Sequence, residues 1–313
     1  MGSTGIMSRK RSADVAAAGA VGLPEPLADW PNRAHSRLLK HAGMRWHLQL
    51  CGTGPTLLLL HGTAASTHSF AGLLPLLCRH FQVLSVDLPG HAHTQAAEHY
   101  SYSMTAMANS VSALLSRLAL SPQITVGHSA GAAILCRMAL QQQLDSRLLI
   151  AINGALQGFA GLPGQLFGPL ARLLAGSSLL PQMIARRARD ERAVQRLLQG
   201  TGSVVGAPYA QLYQRLFQDP AHVAAVLKMM ANWNLHELEP LLPQLPGRLH
   251  LLVADNDRAV PPAQAQALQR RLQSAAVAVS MQRLSGVGHL AHEEQPQRIA
   301  DLIVEQAQAA GLL

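Results

Sequence analysis

The sequence predicts an α/β architecture: a mostly parallel central sheet with helices on both faces and a helical insertion. Three observations carry this. Short aliphatic runs alternate with longer helical patterns through the first half of the chain and again near its end. Some runs are continuous rather than alternating, such as Thr56 to Leu60, which marks a strand covered on both faces. From about 156 to 245 strand patterns give way to helical ones, punctuated by proline and glycine.

Taken in order, Trp30-Pro31-Asn32-Arg33 opens the ordered part, after a tail over 1–25 that is basic, then rich in alanine and glycine. Met44 to Leu50 alternates loosely and reads as an outer strand. Thr56 to Leu60 is a buried strand ending at His61-Gly62-Thr63-Ala64, and a helix follows over about Phe70 to Cys78. Gln82 to Val86 is the next buried strand and ends at Asp87-Leu88-Pro89-Gly90-His91, with Asp87 a structural cap of the turn. Met104 to Leu118 reads as a helix. Ile124 to Val126 leads into Gly127-His128-Ser129-Ala130-Gly131 and an apolar helix. Leu148 to Ile152 is a strand ending at Asn153-Gly154. After the insertion come a strand at His250 to Ala254, a helix at Ala263 to Leu272, a strand at Val277 to Leu284 and a closing amphipathic helix at Gln297 to Ala309. The expected layout is a core over 26–155 and 246–313, with a helical cap over 156–245 inserted after the sixth strand.

Composition narrows the function. With 313 residues, 49% of them hydrophobic, the chain can bury one large core and is too apolar to be disordered. The 25 basic and 17 acidic residues give a formal charge of +8, but the basic residues are scattered and the one dense block is Arg9-Lys10-Arg11, so no nucleic-acid partner is expected. Cys51, Cys78 and Cys136 are far apart in apolar settings and read as buried thiols of a reducing compartment. No apolar run reaches membrane-spanning length.

The strand, tight turn and helix around Ser129 is the context a nucleophile elbow requires. Side chains at Gly127 or Gly131 would clash where strand and helix pass closely, and Gly62 lets the preceding loop turn tightly. A serine hydroxyl needs a base, and the base an orienting acid. His289, after Gly286-Val287-Gly288, is the expected base, with His292 its competitor. Asp257 and Asp255 both follow the strand at His250; Asp257, deeper in the turn, is favoured as the acid. The backbone N–H groups of Thr63 and Ala130 are the expected oxyanion donors. His128 reads as structural. His61, His68, His91 and His93 lack metal-ligand spacing, so no metal site is expected. Pocket candidates are His61, His128, Phe159, Phe167, Met183, Met229, Met230, Trp233 and Leu290. Cap arginines Arg172, Arg186, Arg187, Arg189, Arg192 and Arg196 either face water, rest on an anionic bilayer, or receive carboxylates.

Together the segments at Thr56 to Thr63, Asp87 to His91, Gly127 to Gly131, Asn256-Asp257-Arg258-Ala259-Val260-Pro261 and Gly288-His289 resemble the α/β-hydrolase superfamily, in that family's order. The resemblance implies the α/β-hydrolase fold and supports Asp257 as the acid. Serine at 129 separates the chain from the haloalkane dehalogenases and epoxide hydrolases, which place an aspartate there. A narrower resemblance rests on Trp30-Pro31-Asn32-Arg33, Val126 to Leu135, Gly164-Gln165-Leu166-Phe167, Gly200-Thr201-Gly202-Ser203, Met229-Met230-Ala231-Asn232-Trp233 and His289 to Glu294. These are similar to the magnesium-chelatase accessory family of bacteriochlorophyll biosynthesis. That resemblance implies a porphyrin ligand or substrate, protoporphyrin IX or its magnesium form, and magnesium chelatase as partner. One departure stands out: relatives carry Gly-His-Gly where this chain has Gly90-His91-Ala92, and a left-handed alanine costs roughly 1 kcal/mol. The expected activity is hydrolysis of a carboxylic ester with no cofactor required; a porphyrin carrier that retains the triad is the alternative. The expected location is the cytoplasm, with peripheral contact at the inner or photosynthetic membrane through the cap.

Overall fold

The computed structural model describes residues 20–21, 27–158, 177 and 179–313. Most of the expected tail, the helix expected over 166–174, and Phe159, Phe167 and Arg172 lie outside them. The strands are β1 (Ala20–Val21), β2 (Ser36–His41), β3 (Met44–Cys51), β4 (Thr56–Leu60), β5 (Gln82–Val86), β6 (Ile124–His128), β7 (Leu148–Ile152), β8 (Arg248–Ala254) and β9 (Ala278–Leu284). They form one sheet in the order β1-β2-β3-β5-β4-β6-β7-β8-β9. Pairing is antiparallel from β1 to β5 and parallel from β5 to β9. The strand at Met44 is not at the edge, because β2 pairs outside it; the mixed Ser-Arg-Leu-Leu-Lys-His of β2 shows no aliphatic run. The cap follows β7, the sixth strand when the two-residue β1 is set aside.

The helices of the described residues are α1 (Leu74–Leu77), α2 (Met104–Leu118), α3 (Ala130–Leu140), α4 (Leu180–Arg187), α5 (Glu191–Gly200), α6 (Ala207–Phe217), α7 (Pro220–Ala231), α8 (Pro262–Ser274), α9 (Ala291–Glu294) and α10 (Pro296–Ala309). The helix expected over Phe70 to Cys78 is a 3-10 turn at Thr67–Phe70 followed by α1. The run read as helical from Leu179 to Leu198 breaks before Asp190, whose side chain accepts from Arg192 N and caps α5.

The continuous aliphatic strands fill both layers by alternation. Leu58 and Leu60 join Leu84 and Val86 under α2, α3 and α8, while Leu57 and Leu59 join Val83, Ile124 and Val126 under α1 and α10. Leu57 to Leu60 are all fully buried, each worth about 1.5–3 kcal/mol relative to exposure. α2 buries Met104, Met107, Ala108, Val111, Leu114, Leu115 and Leu118, a helical stripe, and Ser103 caps it by accepting from Ala106 N. Chain order reverses at β4, which lies between β5 and β6, and open sheets of this kind bind ligands at such a point. The loops carrying Gly62 and Ser129 both leave the sheet there.

Cysteine usage differs from expectation. Cys51, at the end of β3, and Cys78, after α1, have Cα atoms 5.7 Å apart and are joined as a disulfide. Their 27-residue separation gives no hint of this, because the turn after α1 reaches β3 only in the folded sheet. Cys136 is a free buried thiol, pushed up to about 12 by burial.

Between sheet and cap lies a belt of buried imidazoles. His61, His91 and His222 follow one another with ring centroids 5.4 Å apart at each step, and His68 stands edge-on to Tyr213 at 4.5 Å. Burial pushes His68 and His292 down to about 3 and His222 down to about 4, so all three are neutral at pH 7. Glu293, also buried, is pushed up to about 8 by burial, against hydrogen bonds from Ser69 and Tyr213. No His/Cys/Asp/Glu group among the described residues is arranged to hold a metal. Ala92 adopts a left-handed φ of 46°, so the strain foreseen at that position is present.

Two predictions follow from the packing. A Cβ at Gly131 would collide with the Leu60 carbonyl and come 2.7 Å from His61 O; Gly131→Ala should lower stability by roughly 1–3 kcal/mol, read as a fall in the urea midpoint at constant slope. The second concerns pH. Between about 3 and 6.5 the unfolded chain binds protons that folded His68 and His292 refuse, so stability rises with pH. Between 4.5 and 8 folded Glu293 keeps a proton the unfolded chain loses, so stability falls. Where the windows overlap, several imidazoles outweigh one carboxyl. The melting temperature should therefore climb from pH 4 to 6.5 and then decline towards pH 8. Glu293→Gln should remove the decline; a wild-type curve still rising at pH 8 would count against a neutral Glu293.

Candidate active site

Ser129 sits between β6 and α3 with φ 51° and ψ −116°, a left-handed φ that is uncommon for any non-glycine residue. The conformation is imposed from three sides. At Gly127 a Cβ would strike the Ala132 backbone, and at Gly131 the β4 carbonyls. Ser129 N donates to Ile152 O at 3.1 Å, and Ser129 O accepts from Ala155 N at 3.1 Å, which fixes the elbow to the end of β7. Ser129 is half-buried, and its hydroxyl makes no hydrogen bond among the described residues, to His289 included. Hydrogen bonds of this kind often tighten only in the substrate complex.

The two expected oxyanion donors flank it. Ala130 opens α3, where a helix leaves its first N–H groups unpaired. Thr63 follows Gly62, at which a Cβ would come 3.0 Å from Ser129 Cβ and 2.8 Å from His128 Nδ1, so this loop passes directly beside the serine. Thr63 N is unpaired among the described residues. His61 braces the loop: Leu88 N donates to its Nε2 at 2.9 Å, leaving Nδ1–H to donate to Gly62 O at 2.8 Å. It is a strut rather than a pocket wall.

His289 Nδ1 lies 2.8 Å from Asp257 Oδ2, with the Asp257 side chain fully buried and that of His289 10% exposed. Asp257 Oδ1 accepts from Ala259 N and Val260 N, each at 2.8 Å, so the carboxylate is held on both oxygens. Asp255 turns outward to Arg283 at 2.6 Å, which separates the two aspartates that the sequence left as alternatives. His292 is fully buried and bonded to Ser69 Oγ at 2.7 Å, away from the acid. His128 donates from Nε2 to His289 O at 3.0 Å.

Three supports were not among the site residues expected from the sequence. Asn153, buried with a left-handed φ of 47°, donates from Nδ2 to His289 O (2.9 Å) and Gly288 O (3.1 Å) and accepts from Ala254 N (2.8 Å). It staples the ends of β7 and β8 to the histidine loop. Its signal was available, as an asparagine before glycine at the end of a buried strand. The cap supplies the other two. Thr201 O accepts from Arg258 N at 3.0 Å and His289 N at 3.4 Å, and Ser203 Oγ accepts from Leu290 N at 2.8 Å. Glycines at 202 and 288 permit this contact, since a Cβ at 202 would strike Asn256 O and one at 288 the Gly202 backbone.

The pocket candidates divide. Leu290 is buried with Ala65, Ala188, Val194, Leu198 and Tyr213 where cap meets core. Met229 is fully buried in the main core and Trp233 packs against that core, so both are interior rather than pocket wall. Met230 is half-buried. Met183 is 63% exposed on the outer side of α4, a correction to its reading as pocket lining. The apolar positions of α4 and α5 that turn inward are Ala185, Ala188, Val194 and Leu198.

Comparison with known proteins agrees with this geometry at the level of family. Residues 57–302 match the model of the alpha/beta hydrolase family. The chain is 33% identical over 280 residues, 89% of its length and 96% of the relative's, to the magnesium-chelatase 30 kDa subunit of Rhodobacter capsulatus. Among solved structures, an alpha/beta hydrolase fold protein from Burkholderia ambifaria matches with a TM-score of 0.71 at 20% identity, over 86% of this chain and 96% of that one. An esterase from Exiguobacterium antarcticum matches with a TM-score of 0.68 at 16% identity, over 85% and 96%. The structural likenesses speak to fold alone, and the family match extends through both strand blocks and the cap between them: the chain belongs to the α/β-hydrolase family.

Proposed function

We propose that this chain is a serine hydrolase of carboxylic esters that serves the magnesium branch of tetrapyrrole synthesis as an accessory to magnesium chelatase. The observation that carries the hydrolase reading is the buried Asp257–His289 contact of 2.8 Å, together with a serine held at a left-handed φ between β6 and α3. The tetrapyrrole reading is supported by the similarity to the Rhodobacter capsulatus subunit along nearly its whole length.

In this mechanism Ser129 Oγ attacks the ester carbonyl carbon and gives its proton to His289 Nε2. Asp257 holds the proton on Nδ1, so Nε2 presents its lone pair. The carbonyl π pair moves onto oxygen, and the N–H groups of Thr63 and Ala130 receive the negative charge. The intermediate collapses, the alkoxide leaves with the proton from Nε2, and an acyl-Ser129 ester remains. Water then gives a proton to His289 and attacks that ester; the carboxylic acid departs and the serine regains its proton. Hydrolysis by this route requires no cofactor; protoporphyrin IX or its magnesium form, whose propionates are free acids, enters as ligand, and a propionate ester of either as substrate.

A non-catalytic porphyrin carrier is the second reading, favoured by the relative's being named a chelatase subunit. One experiment separates the two. Protoporphyrin IX, its magnesium form and their monomethyl esters are titrated into wild type and Ser129→Ala, with products resolved by chromatography and Ser129 labelled by a fluorophosphonate. A hydrolase gives a product that falls at least about 10⁴-fold in the variant and a label that disappears. Binding without turnover in both proteins supports the carrier; no binding removes the tetrapyrrole assignment.

Peripheral membrane contact belongs to the same proposal. No helix of the described residues is long and apolar enough to cross a membrane. Leu179, Met183, Leu197 and Val204 are exposed on the cap, and Arg186, Arg187, Arg192 and Arg196 are exposed around them. Co-sedimentation with phosphatidylglycerol vesicles should fall as salt rises from low to physiological strength. Equal, salt-insensitive binding to neutral vesicles would remove this contact.

A further inference from the structure

A cleft of about 510 Å³ opens between the loop after β5, the start of β3, and helices α6 and α7. None of Ser129, His289 and Asp257 lines it. Its volume lies in the range of small-molecule sites. Its lining includes a cation, Arg45, that has no ion-pair partner among the described residues, and the aromatic side chains Trp30 and Tyr102.

The cation is Arg45. Its backbone is fixed by two hydrogen bonds with Gln95, Arg45 N to Gln95 O at 3.2 Å and Gln95 N to Arg45 O at 2.9 Å. Its side chain is half-buried, its Nε is buried without an acceptor, and it has no ion-pair partner among the described residues. Arg215, on the opposite wall, already pairs with Asp29 at 2.8 Å and lies 5.7 Å from the Trp30 ring centroid. Asp219 is occupied in capping α7 through Ala221 N.

Of the two aromatic side chains, Trp30 is a buried part of the wall with Arg215 over its ring, and Tyr102 is half-buried. Trp30 is 3% exposed, anchored by Nε1–H to Thr67 Oγ1 at 3.1 Å and set edge-on to His93 at 4.6 Å. Tyr102 holds a left-handed φ of 56°, a strained conformation for a bulky residue, and such strain clusters at ligand clamps. Lys228 Nζ lies 5.6 Å from its ring. Burial keeps the imidazoles of His93 and His222 below their ordinary range, so they add little charge at pH 7.

We infer that this cleft is a second binding site, separate from the Ser129 centre, for a flat aromatic ligand bearing a carboxylate, with the carboxylate on Arg45 and the ring against the half-buried Tyr102. The guanidinium fork matches a carboxylate, and aromatic walls favour a planar body. The site goes beyond the hydrolase reading and does not depend on it.

The test uses 2-naphthoate, its neutral isostere 2-naphthamide, and protoporphyrin IX as a larger flat carboxylate, each followed by calorimetry. Proteins are wild type, Arg45→Gln, Arg45→Lys, Tyr102→Ala and Ser129→Ala, with folding checked by circular dichroism. Wild type should bind 2-naphthoate at least tenfold more tightly than 2-naphthamide. Arg45→Gln should erase that preference while leaving the weak amide binding in place, Arg45→Lys should retain part of it, and Tyr102→Ala should weaken both ligands. Ser129→Ala should change nothing. Tighter binding of protoporphyrin IX than of 2-naphthoate, lost in Arg45→Gln, would mark the larger ligand as the better occupant. The inference is overturned if no probe binds, if acid and amide bind equally to wild type, if the preference survives Arg45→Gln, or if it is lost in Ser129→Ala. Fluorophosphonate labelling of Arg45→Gln keeps the two readings apart, since it reports on Ser129 whatever happens in the cleft.

Discussion

The close approach of α3 to the carbonyl ends of β4 is the constraint on which the site depends. It leaves no room for a side chain at 127 or 131 and turns the chain so sharply that Ser129 takes a left-handed φ. Such a conformation costs on the order of 1–3 kcal/mol and persists only where the surroundings over-determine it. The surroundings here are the fully buried leucines of β4, the apolar α3 packed across them, and the two hydrogen bonds that lock Ser129 to the end of β7. The same approach places the first N–H groups of α3 and the loop after β4 on either side of one hydroxyl. Strain and the expected oxyanion geometry therefore have a single cause.

The loops carrying Asp257 and His289 are held differently, by long-range hydrogen bonds rather than by steric exclusion. Asn153 bonds the histidine loop to the ends of β7 and β8. From the other side the cap grips it, with Thr201 O taking N–H groups from both the Arg258 and His289 backbones and Ser203 Oγ taking that of Leu290. Glu294 completes the grip, its two carboxylate oxygens accepting from Gly288 N in the core and Val204 N in the cap. The cap is thus wired to His289, and a displacement of its Thr201–Val204 segment would strip hydrogen bonds from the loop that carries this histidine. Substrate entry that moves this segment would alter the alignment of the histidine as well as access to it.

What was legible in the sequence was what one local pattern can specify. Continuous aliphatic runs announce the buried strands, and the two glycines around Ser129 announce the elbow, because each is a pattern written in a few consecutive residues even where, as at Gly131, the packing partner is β4. Asp257 could be ranked above Asp255 by its place in the turn and by the family resemblance; what separates them physically is Arg283, on the next strand, which draws Asp255 outward. The Cys51–Cys78 bond, the staple at Asn153 and the grip of Ser203 on Leu290 each join residues 27 or more positions apart, and no periodicity records such contacts. Met183 shows the converse. Its hydrophobicity suggested a pocket, but on α4 it projects opposite Pro181 and Ala185, the positions that the helix buries.

A second set of the same three residue types shows why hydrogen bonding does not by itself mark an active site. Asp87 Oδ2 lies 2.7 Å from His47 Nδ1, and His47 Nε2 lies 3.0 Å from Ser36 Oγ, a more complete chain of contacts than the Ser129 set displays. Asp87 accepts from Thr67 N and His93 N much as Asp257 accepts from Ala259 N and Val260 N. Burial would raise the Asp87 carboxyl, but His47 beside it holds it below the ordinary range. Yet His47 and Asp87 are wholly buried and Ser36 nearly so, and Gln49 also donates to the Ser36 hydroxyl. Ser36 opens an extended strand, where no helix N-terminus offers unpaired N–H groups to a developing oxyanion. No carbonyl carbon can reach that hydroxyl, so the polar chain ties β2, β3 and the turn after β5 into a fixed platform. Around Ser129 the pattern is reversed: among the described residues the hydroxyl accepts and donates no hydrogen bond and the Thr63 N–H is unpaired, while Ser129 is half-buried and the His289 side chain is 10% exposed. Reactivity is expected where the network is incomplete and open, and structural support where it is closed.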